Sequence, residues 1–179
     1  MNPIKTFLNR SRAEALPPVE EIEQFGADGE EGVCRLLASH FDCVIRNAVV
    51  PCKDQYLEKD LLVIHHGVPF ILEIKNWKGE IGRNGDKFYQ KKENGVYKEL
   101  KSPVDTTNRF LHMMKQFYKI QRPVWGIVVF AEPSCVLKLE NETDGVALLP
   151  LSKLVPFIQK KTREDEKQQH PPFADAHRI

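Results

Sequence analysis

Two apolar runs on either side of a short turn place the tightest constraint on how this chain can fold. Leu61–Ile64 and Pro69–Leu72 are each as long as a strand, and His66-Gly67 lies between them. A glycine-containing turn between two such runs is typical of a β-hairpin. Phe70–Leu72 contains three consecutive apolar residues, so we expect both faces of the second strand to be buried where it begins.

Ionisable residues flank these two runs. Asp60 directly precedes the first, while Glu73 and Lys75 follow the second, two positions apart and therefore on one strand face. If the hairpin turns at His66-Gly67, Asp60 and Glu73 lie at equal distances from the turn and opposite each other. Carboxylates this close repel each other unless a cation or a proton lies between them. Charges at the end of a buried strand are costly unless they are paired or bind a metal.

The chemistry that this pattern favours is metal-dependent cleavage of a phosphodiester. Two carboxylates and a backbone carbonyl are suitable oxygen ligands for Mg²⁺ or Mn²⁺. A neighbouring lysine can orient and help to deprotonate a water molecule, or offset charge in a phosphoryl transition state. The metal stabilises the attacking and leaving oxygens. We therefore interpret Asp60, Glu73 and Lys75 as a candidate phosphodiesterase site.

The rest of the pattern predicts an α/β fold with a mixed central β-sheet flanked by helices. A helix is predicted after Gly29, because Val33, Leu36 and Leu37 recur at helical spacing; Glu30 lies in its first turn. Strands are predicted at 42–50, 57–65, 69–77, 124–130 and 146–149, and a small β-meander at 80–83, 87–92 and 96–101. Further helices are predicted from Ser102-Pro103 and at Leu151–Lys160.

Composition divides the chain into three segments. Residues 1–24 contain Pro17-Pro18 and mixed charges, which predicts an N-terminal arm. Residues 25–161 are long enough for one well-packed domain. Residues 162–179 are charged and poor in branched apolar residues, which predicts a disordered tail.

Charge and cysteine content limit the possible partners and location. The net charge is only +1, so attraction to phosphate must come from a local patch. Lysines of the meander can supply such a patch, or form an ordinary solvated face: Lys87, Lys91, Lys92, Lys98 and Lys101. The four cysteines lack zinc-site spacing, and neither a signal peptide nor a membrane-length apolar run is present. We expect a cytoplasmic protein with reduced thiols and no membrane association.

Asp60 followed by Glu73-Ile74-Lys75 resembles the D…(D/E)xK signature of the restriction-endonuclease-like superfamily. A longer pattern, formed by residues 26–30, Asp60 and the string Phe-Ile-Leu-Glu-Ile-Lys-Asn-Trp-Lys-Gly at 70–79, resembles the nuclease-related domain (NERD) family. The resemblance covers roughly residues 26–131. It implies a restriction-endonuclease-like core around the predicted sheet.

The resemblance also implies roles for individual residues. Asp60 and Glu73 would ligate Mg²⁺ or Mn²⁺, the Ile74 carbonyl would be a third ligand, and Lys75 would be the catalytic lysine. Glu30 would project from the first helix toward the same site and position a water molecule or a second cation. The implied substrate is nucleic acid, with DNA as the expected partner.

Two departures from the family pattern bear on substrate contacts. Glu58 stands where the family usually has glutamine, and Thr106-Thr107-Asn108 stands where a glutamine-asparagine pair often opens the second helix.

Two further side chains have open interpretations. Trp77 can stack on a base or pack under the meander, and His112 can face the site from its helix or lie apart from it.

Three functions are compatible with these residues. The first is a metal-dependent nuclease that hydrolyses DNA. The second is a non-cleaving module that retains the nuclease fold and binds nucleic acid or a protein. The third is a structural domain in which the acids and the lysine form an internal salt bridge. The sequence does not distinguish DNA from RNA, endonuclease from exonuclease action, or a monomer from a dimer.

Overall fold

The computed structural model describes residues 18, 28–92, 94–140, 142–143 and 145–168. Apart from Pro18, the predicted arm at 1–24 lies outside these residues, as does the part of the predicted tail at 169–179. The described helices are α1 (Gly29–His40), α2 (Pro103–Tyr118) and α3 (Leu154–Lys167), with a 3-10 turn at Leu151–Lys153. The strands are β1 (Cys43–Cys52), β2 (Gln55–His65), β3 (Val68–Lys75), β4 (Gly79–Asn84), β5 (Lys87–Lys91), β6 (Tyr97–Leu100), β7 (Trp125–Phe130), β8 (Cys135–Lys138), β9 (Glu142–Thr143) and β10 (Val146–Pro150).

The larger sheet is mixed, as the sequence predicts. Its order is β1-β2-β3-β7-β10-β9. The pairs β1–β2 and β2–β3 are antiparallel, whereas β7 runs parallel to both β3 and β10. The predicted meander forms β4, β5 and β6 of a second sheet, which β8 extends by pairing parallel to β4. Strands β8 and β9 have no counterpart among the predicted strands.

The β2–β3 hairpin turns where the sequence predicts. His65 pairs with Val68, and both turn residues have a positive φ, 48° for His66 and 74° for Gly67. Positive φ at both central positions is the requirement of a type I′ turn, which matches the twist of the two strands. The pairing continues without a slip to Leu61 opposite Leu72.

Two core clusters cover the two faces of the larger sheet. The first core cluster lies between the sheet and helices α1 and α3, and includes Leu36, Leu61, Leu72, Ile127 and Ile158. The second core cluster lies between the sheet, α2 and the smaller sheet, and includes Leu62, Ile71, Phe88, Phe110 and Val128. β7 contributes to both clusters because both of its faces are buried, in agreement with its unbroken apolar sequence.

Helix α2 has a capped N-terminus and packs closely on β7. The Ser102 hydroxyl accepts a hydrogen bond from the Asp105 N–H at 3.4 Å, and Pro103 occupies the first turn. Opposite the helix, Gly126 provides space for Thr107 and Leu111. A Cβ at Gly126 would lie only 2.7 Å from the Leu111 Cδ1 atom.

The predicted start of the disordered tail at 162 is wrong for residues 162–168. Helix α3 continues through Lys167, and Thr162 and Asp165 are buried. Asp165 forms a buried ion pair with Arg122 from the loop before β7. The charged composition suggested disorder, but a charge that finds its partner inside the protein can remain buried. Among the described helices, none has the length and apolar character needed to cross a membrane.

Candidate metal centre

Asp60 and Glu73 occupy the open end of the β2–β3 hairpin, away from its turn. They are the next residues on each strand after the last backbone pair, Leu61 and Leu72. The Asp60 Oδ2 atom accepts a hydrogen bond from the Ile74 N–H at 2.5 Å. The Asp60 carboxylate therefore contacts β3 next to Glu73. The hairpin register predicts this proximity of the two acids.

The Ile74 carbonyl shares the Asp60 side of β3. In an extended strand, the N–H and C=O of one residue point toward the same neighbouring strand. The Ile74 N–H is directed at Asp60. By contrast, the Lys75 carbonyl points to the other side and accepts a hydrogen bond from the Ala131 N–H at 2.9 Å. The Asp60 carboxylate and the Ile74 carbonyl, two of the three oxygen donors proposed from the sequence, therefore lie on the same side of β3.

Glu73 is held between two lysines. Its Oε1 atom accepts a hydrogen bond from Lys75 Nζ, and its Oε2 atom from Lys59 Nζ, each at 2.5 Å. The side chains of Glu73, Lys75 and Lys59 are 13%, 25% and 4% exposed. Burial alone would raise the pKa of Glu73, but the hydrogen bonds and charges of the two lysines outweigh it and lower the pKa.

Asp60 is perturbed in the opposite direction. Burial raises its pKa above the ordinary value, and the charges of Glu73 and Glu30 raise it further. The hydrogen bond from Ile74 and the charge of Lys75 act against this shift without cancelling it. Two acids at the open end of one hairpin thus have pKa values shifted in opposite directions, an arrangement that recurs in acid–base and metal sites.

Glu30 lies at the margin of this centre. It occupies the first turn of α1, where its side chain is exposed, and its charge contributes to the raised pKa of Asp60. A Cβ at the neighbouring Gly29 would lie 4.0 Å from Nδ2 of Asn76, which directly follows β3. The helix start and the strand end therefore meet here. A direct role for Glu30 in metal or water binding stays a prediction.

Lys59 is the residue of this centre that the sequence analysis missed. Besides Glu73, its Nζ atom contacts the Thr106 hydroxyl at 3.3 Å on α2. Simple alternation along β2 places Lys59 on the same face as Leu61, which belongs to the first core cluster. Lys59 instead lies on the opposite face, with Glu73 and α2.

A local break in the alternation of β1 and β2 explains the position of Lys59. In β1, Ile45 and Ala48 both pack with the second core cluster although they are three residues apart, and Asn47 between them has a φ of 50°. Leu57 in β2 packs with the same cluster. Since Ala48 pairs with Lys59, the two strands change face together. In the sequence, the only indication that Lys59 belongs to this centre was its position directly before Asp60.

The donor set fits a hard divalent cation. Asp60, Glu73 and the Ile74 carbonyl offer oxygen atoms of the kind that Mg²⁺ and Mn²⁺ prefer. The pKa of Asp60 is raised mainly by burial and secondarily by the charges of Glu73 and Glu30, and a bound cation would favour the ionised carboxylate against both effects. A cation that binds Glu73 through Oε2 must displace the Lys59 ammonium group, because that oxygen already accepts a hydrogen bond from Lys59.

The remaining candidate side chains separate into packing and surface groups. The Trp77 ring packs edge-on against Phe130 and Phe88, with centroid separations of 5.8 Å and 6.4 Å, so it lies under the meander as one interpretation predicted. His112 is exposed on α2. Lys87 pairs with Glu99 at 3.0 Å. An open groove of about 440 Å³ is lined by Lys78, Gly79, Gln90, Lys91, Lys92 and Asn94.

Comparison with known proteins gives this geometry a family context. The family model described as nuclease-related domain, NERD, matches residues 25–131, a segment that contains Glu30, Asp60, Glu73 and Lys75. Comparisons with curated proteins and with solved structures give no match. The family match indicates a nuclease-related function, with interaction with nucleic acid and use of a divalent metal. Because the matched segment is more than half of the chain, the protein belongs to the nuclease-related domain family.

Proposed function

We propose that this protein is a divalent-metal-dependent nuclease that hydrolyses phosphodiester bonds of DNA, with Asp60, Glu73 and Lys75 at its reactive centre. The observation that carries the proposal is the pair of acids at the open end of the β2–β3 hairpin, whose pKa values are shifted in opposite directions. Lys75 donates a hydrogen bond to one of them. The nuclease-related domain family supports the same chemistry.

Asp60, Glu73 and the Ile74 carbonyl would hold Mg²⁺ or Mn²⁺. When bound, such an ion supplies a Lewis acid for the phosphoryl oxygens and lowers the pKa of water. Asp60 must be ionised to take part. Its contact with the Ile74 N–H keeps the carboxylate directed at the strand end, so Asp60 itself needs little rearrangement before the ion binds.

Lys75 is suited to act on the substrate or on the attacking water molecule. Its ammonium group is a quarter exposed and is held beside Glu73. In this position it orients a water molecule and assists loss of its proton, or offsets negative charge that develops on the phosphoryl oxygens. Glu30, exposed at the start of α1, positions that water molecule or a second cation from the other side.

Lys59 acts on the centre through Glu73 and not on the substrate. It is almost completely buried and its Nζ atom contacts Glu73 and Thr106. Its charge keeps Glu73 ionised, and the shared hydrogen bond sets the orientation of the carboxylate. Lys59 is therefore a positioning residue in this proposal.

DNA would approach along the side of the groove lined by Lys78, Lys91 and Lys92. These lysines can contact the phosphate backbone, which the low overall charge of +1 does not by itself attract. Lys78 is separated from Lys75, the last residue of β3, only by Asn76 and Trp77, so this basic groove lies close to Lys75 in the sequence. Binding through such contacts weakens as the salt concentration rises.

The proposal is tested by cleavage assays on single- and double-stranded DNA, with RNA as a parallel substrate, during titration with Mg²⁺ and Mn²⁺. Lys75→Ala and Glu73→Gln should each reduce cleavage at least about 100-fold while circular dichroism shows a retained fold. Lys160→Ala, which removes an exposed lysine of α3, is the matched control. Cleavage that persists in excess EDTA, or that Lys75→Ala leaves unchanged, would contradict the proposal.

One observation favours a second function, that of a non-cleaving nucleic-acid or protein binding module. Both carboxylate oxygens of Glu73 already accept hydrogen bonds from lysine ammonium groups, so Glu73 is not available to a metal ion while these contacts persist, and a fold that keeps them binds without cleaving. Tight binding of DNA or a protein without any cleavage product, across several divalent metals, would select this function over the nuclease.

A further inference from the structure

A second group of metal-ligating side chains lies at the other end of the β2–β3 hairpin, at its turn. Asp42, His65 and His66 each place one donor atom within 4.8 Å of the donor atoms of the other two. The His65 Nδ1 atom lies 3.7 Å from Asp42 Oδ2. Glu166, near the end of α3, contacts His66 Nδ1 through Oε1 at 2.6 Å. None of these residues belongs to the proposed nuclease centre.

We propose that this group is a binding site for a first-row transition-metal ion of the zinc type, with Asp42, His65 and His66 as ligands and Glu166 as the residue that orients His66. Imidazole and carboxylate together are a common donor set for zinc, whereas Mg²⁺ prefers oxygen atoms alone. Zinc bonds of about 2.0–2.2 Å require ligand atoms somewhat closer than they are here. Asp42 and His66 are 44% and 50% exposed, so side-chain rotation can close the site.

His65 supplies the first independent support. Its Nδ1 atom is buried and forms no hydrogen bond with any residue that the structure describes, although the Asp42 carboxylate lies nearby. A buried polar atom without a partner is unfavourable, and a bound ion would satisfy it. Burial, followed by the charge of His66, lowers the pKa of His65. Histidine binds a metal ion through an unprotonated ring nitrogen, the form that burial favours at His65.

His66 supplies the second support. The contact between its Nδ1 atom and Glu166 leaves Nε2 as the ring nitrogen available to an ion. A carboxylate bonded to the other nitrogen of a metal-binding histidine is the usual means of setting its tautomer and orientation. His66 also holds a positive φ of 48°, a conformation in which asparagine is favoured among non-glycine residues.

Metal binding here would connect three segments that are distant in sequence. Asp42 precedes β1, the two histidines close the β2–β3 hairpin, and Glu166 belongs to the last turn of α3. An ion held by these groups binds the folded chain and not the unfolded one, so it raises the melting temperature by mass action. This site therefore has a stabilising role that does not depend on nuclease activity.

The experiment is a titration of the full chain with Zn²⁺ alone, followed by calorimetry and by thermal unfolding. We expect one ion to bind and the melting temperature to rise. His66→Asn should weaken zinc binding at least about tenfold and remove most of the thermal shift. Asparagine is chosen because it retains the turn conformation. Equal zinc affinity in wild type and His66→Asn, or no binding to the wild type, would overturn the inference.

Three controls separate this site from other metal-binding groups. His112→Asn changes an exposed histidine on α2 and should leave zinc binding unchanged. Replacement of both His170 and His177 with asparagine tests the remaining C-terminal histidines, and retained binding is expected. Glu73→Gln should also leave zinc binding intact. If either the C-terminal double variant or Glu73→Gln abolishes binding, the assignment to His65 and His66 is wrong.

Discussion

Lys59 Nζ lies 2.5 Å from Glu73 Oε2 in a part of the sheet where both side chains are largely shielded from water. This contact joins the two strands of the β2–β3 hairpin at the end where the nuclease centre is proposed. It also lowers the pKa of Glu73. A cation that uses the same oxygen competes directly with Lys59, so this lysine affects stability and metal affinity in opposite directions.

Lys59→Met tests that competition. Loss of the buried ammonium group should destabilise the protein by about 1–3 kcal/mol, because a buried acceptor loses its partner while Glu73 keeps Lys75. The same change should strengthen Mg²⁺ binding. Urea denaturation and calorimetric titration measure the two effects. Lys98→Met, on the exposed strand β6, is the control, and equal effects from both variants would contradict the prediction.

Asp60→Asn should stabilise the metal-free protein at neutral pH by about 0.2–1 kcal/mol, because it removes a carboxylate that faces Glu73 and Glu30. It should also abolish any rise in melting temperature caused by Mg²⁺. Thermal unfolding with and without Mg²⁺ measures both effects. A metal-dependent rise that survives in this variant would exclude Asp60 as a ligand.

The pKa shifts of the two acids predict opposite pH effects in the metal-free protein. The pKa of Asp60 is raised, so its stabilising contribution is present below its ordinary value of 3.8 and is lost as the pH rises through the raised pKa. The pKa of Glu73 is lowered, so its contribution is present above 4.5 and is lost as the pH falls through the lowered pKa. Denaturation between pH 2 and 7 of wild type, Asp60→Asn and Glu73→Gln should separate these effects. Identical pH profiles for all three would contradict the assignments.

Gly126→Ala should destabilise the protein by about 1–3 kcal/mol, because the added Cβ overpacks the contact between α2 and β7. That atom would lie 2.7 Å from Leu111 Cδ1 and 3.0 Å from Thr107 Cγ2. Gly82→Ala is the matched control, since its Cβ would lie 3.9 Å from the Lys138 carbonyl. Chemical denaturation should distinguish the two, and an equal loss in both would contradict the packing argument.

Arg122→Met should destabilise the protein by about 3–5 kcal/mol, because it leaves Asp165 charged and buried without its partner. Arg122→Met combined with Asp165→Leu should recover part of the loss. Truncation after residue 161 removes Asp165 and should be similarly harmful, while truncation after 168 retains the pair. Thermal unfolding of the four variants measures these differences. Equal stability after both truncations would show that 162–168 contribute nothing to the fold.

The hairpin and its acids could be predicted because they depend on local chemistry. His66-Gly67 determines the turn, and the apolar runs on either side determine which residues are buried, so the register from Leu61 to Leu72 follows from the sequence. Counting residues outward from the turn along both strands then predicts that Asp60 and Glu73 lie opposite each other. The position of Lys75 beside Glu73 could be predicted from the alternation of side chains along β3, because residues two apart lie on the same strand face.

Other features depend on contacts between segments that are far apart in the chain. Lys59 contacts Glu73 because the alternation of side chains breaks at Asn47, after which the residues of β1 and their partners in β2 point to the opposite face of the sheet. The sequence pattern of either strand alone does not reveal this change of face. The end of α3 is helical because Arg122, more than forty residues earlier, neutralises Asp165.

The sequence by itself therefore determined the hairpin, the mixed sheet and the proximity of Asp60 to Glu73, because turns and alternating side chains act over a few residues. Only the tertiary structure decided that Lys59 occupies the second oxygen of Glu73. It also decided that His65 and His66 meet Asp42 and Glu166 at the opposite end of the hairpin. The physical reason is that electrostatic partners are chosen by distance in space, and distance in space depends on how the whole chain packs.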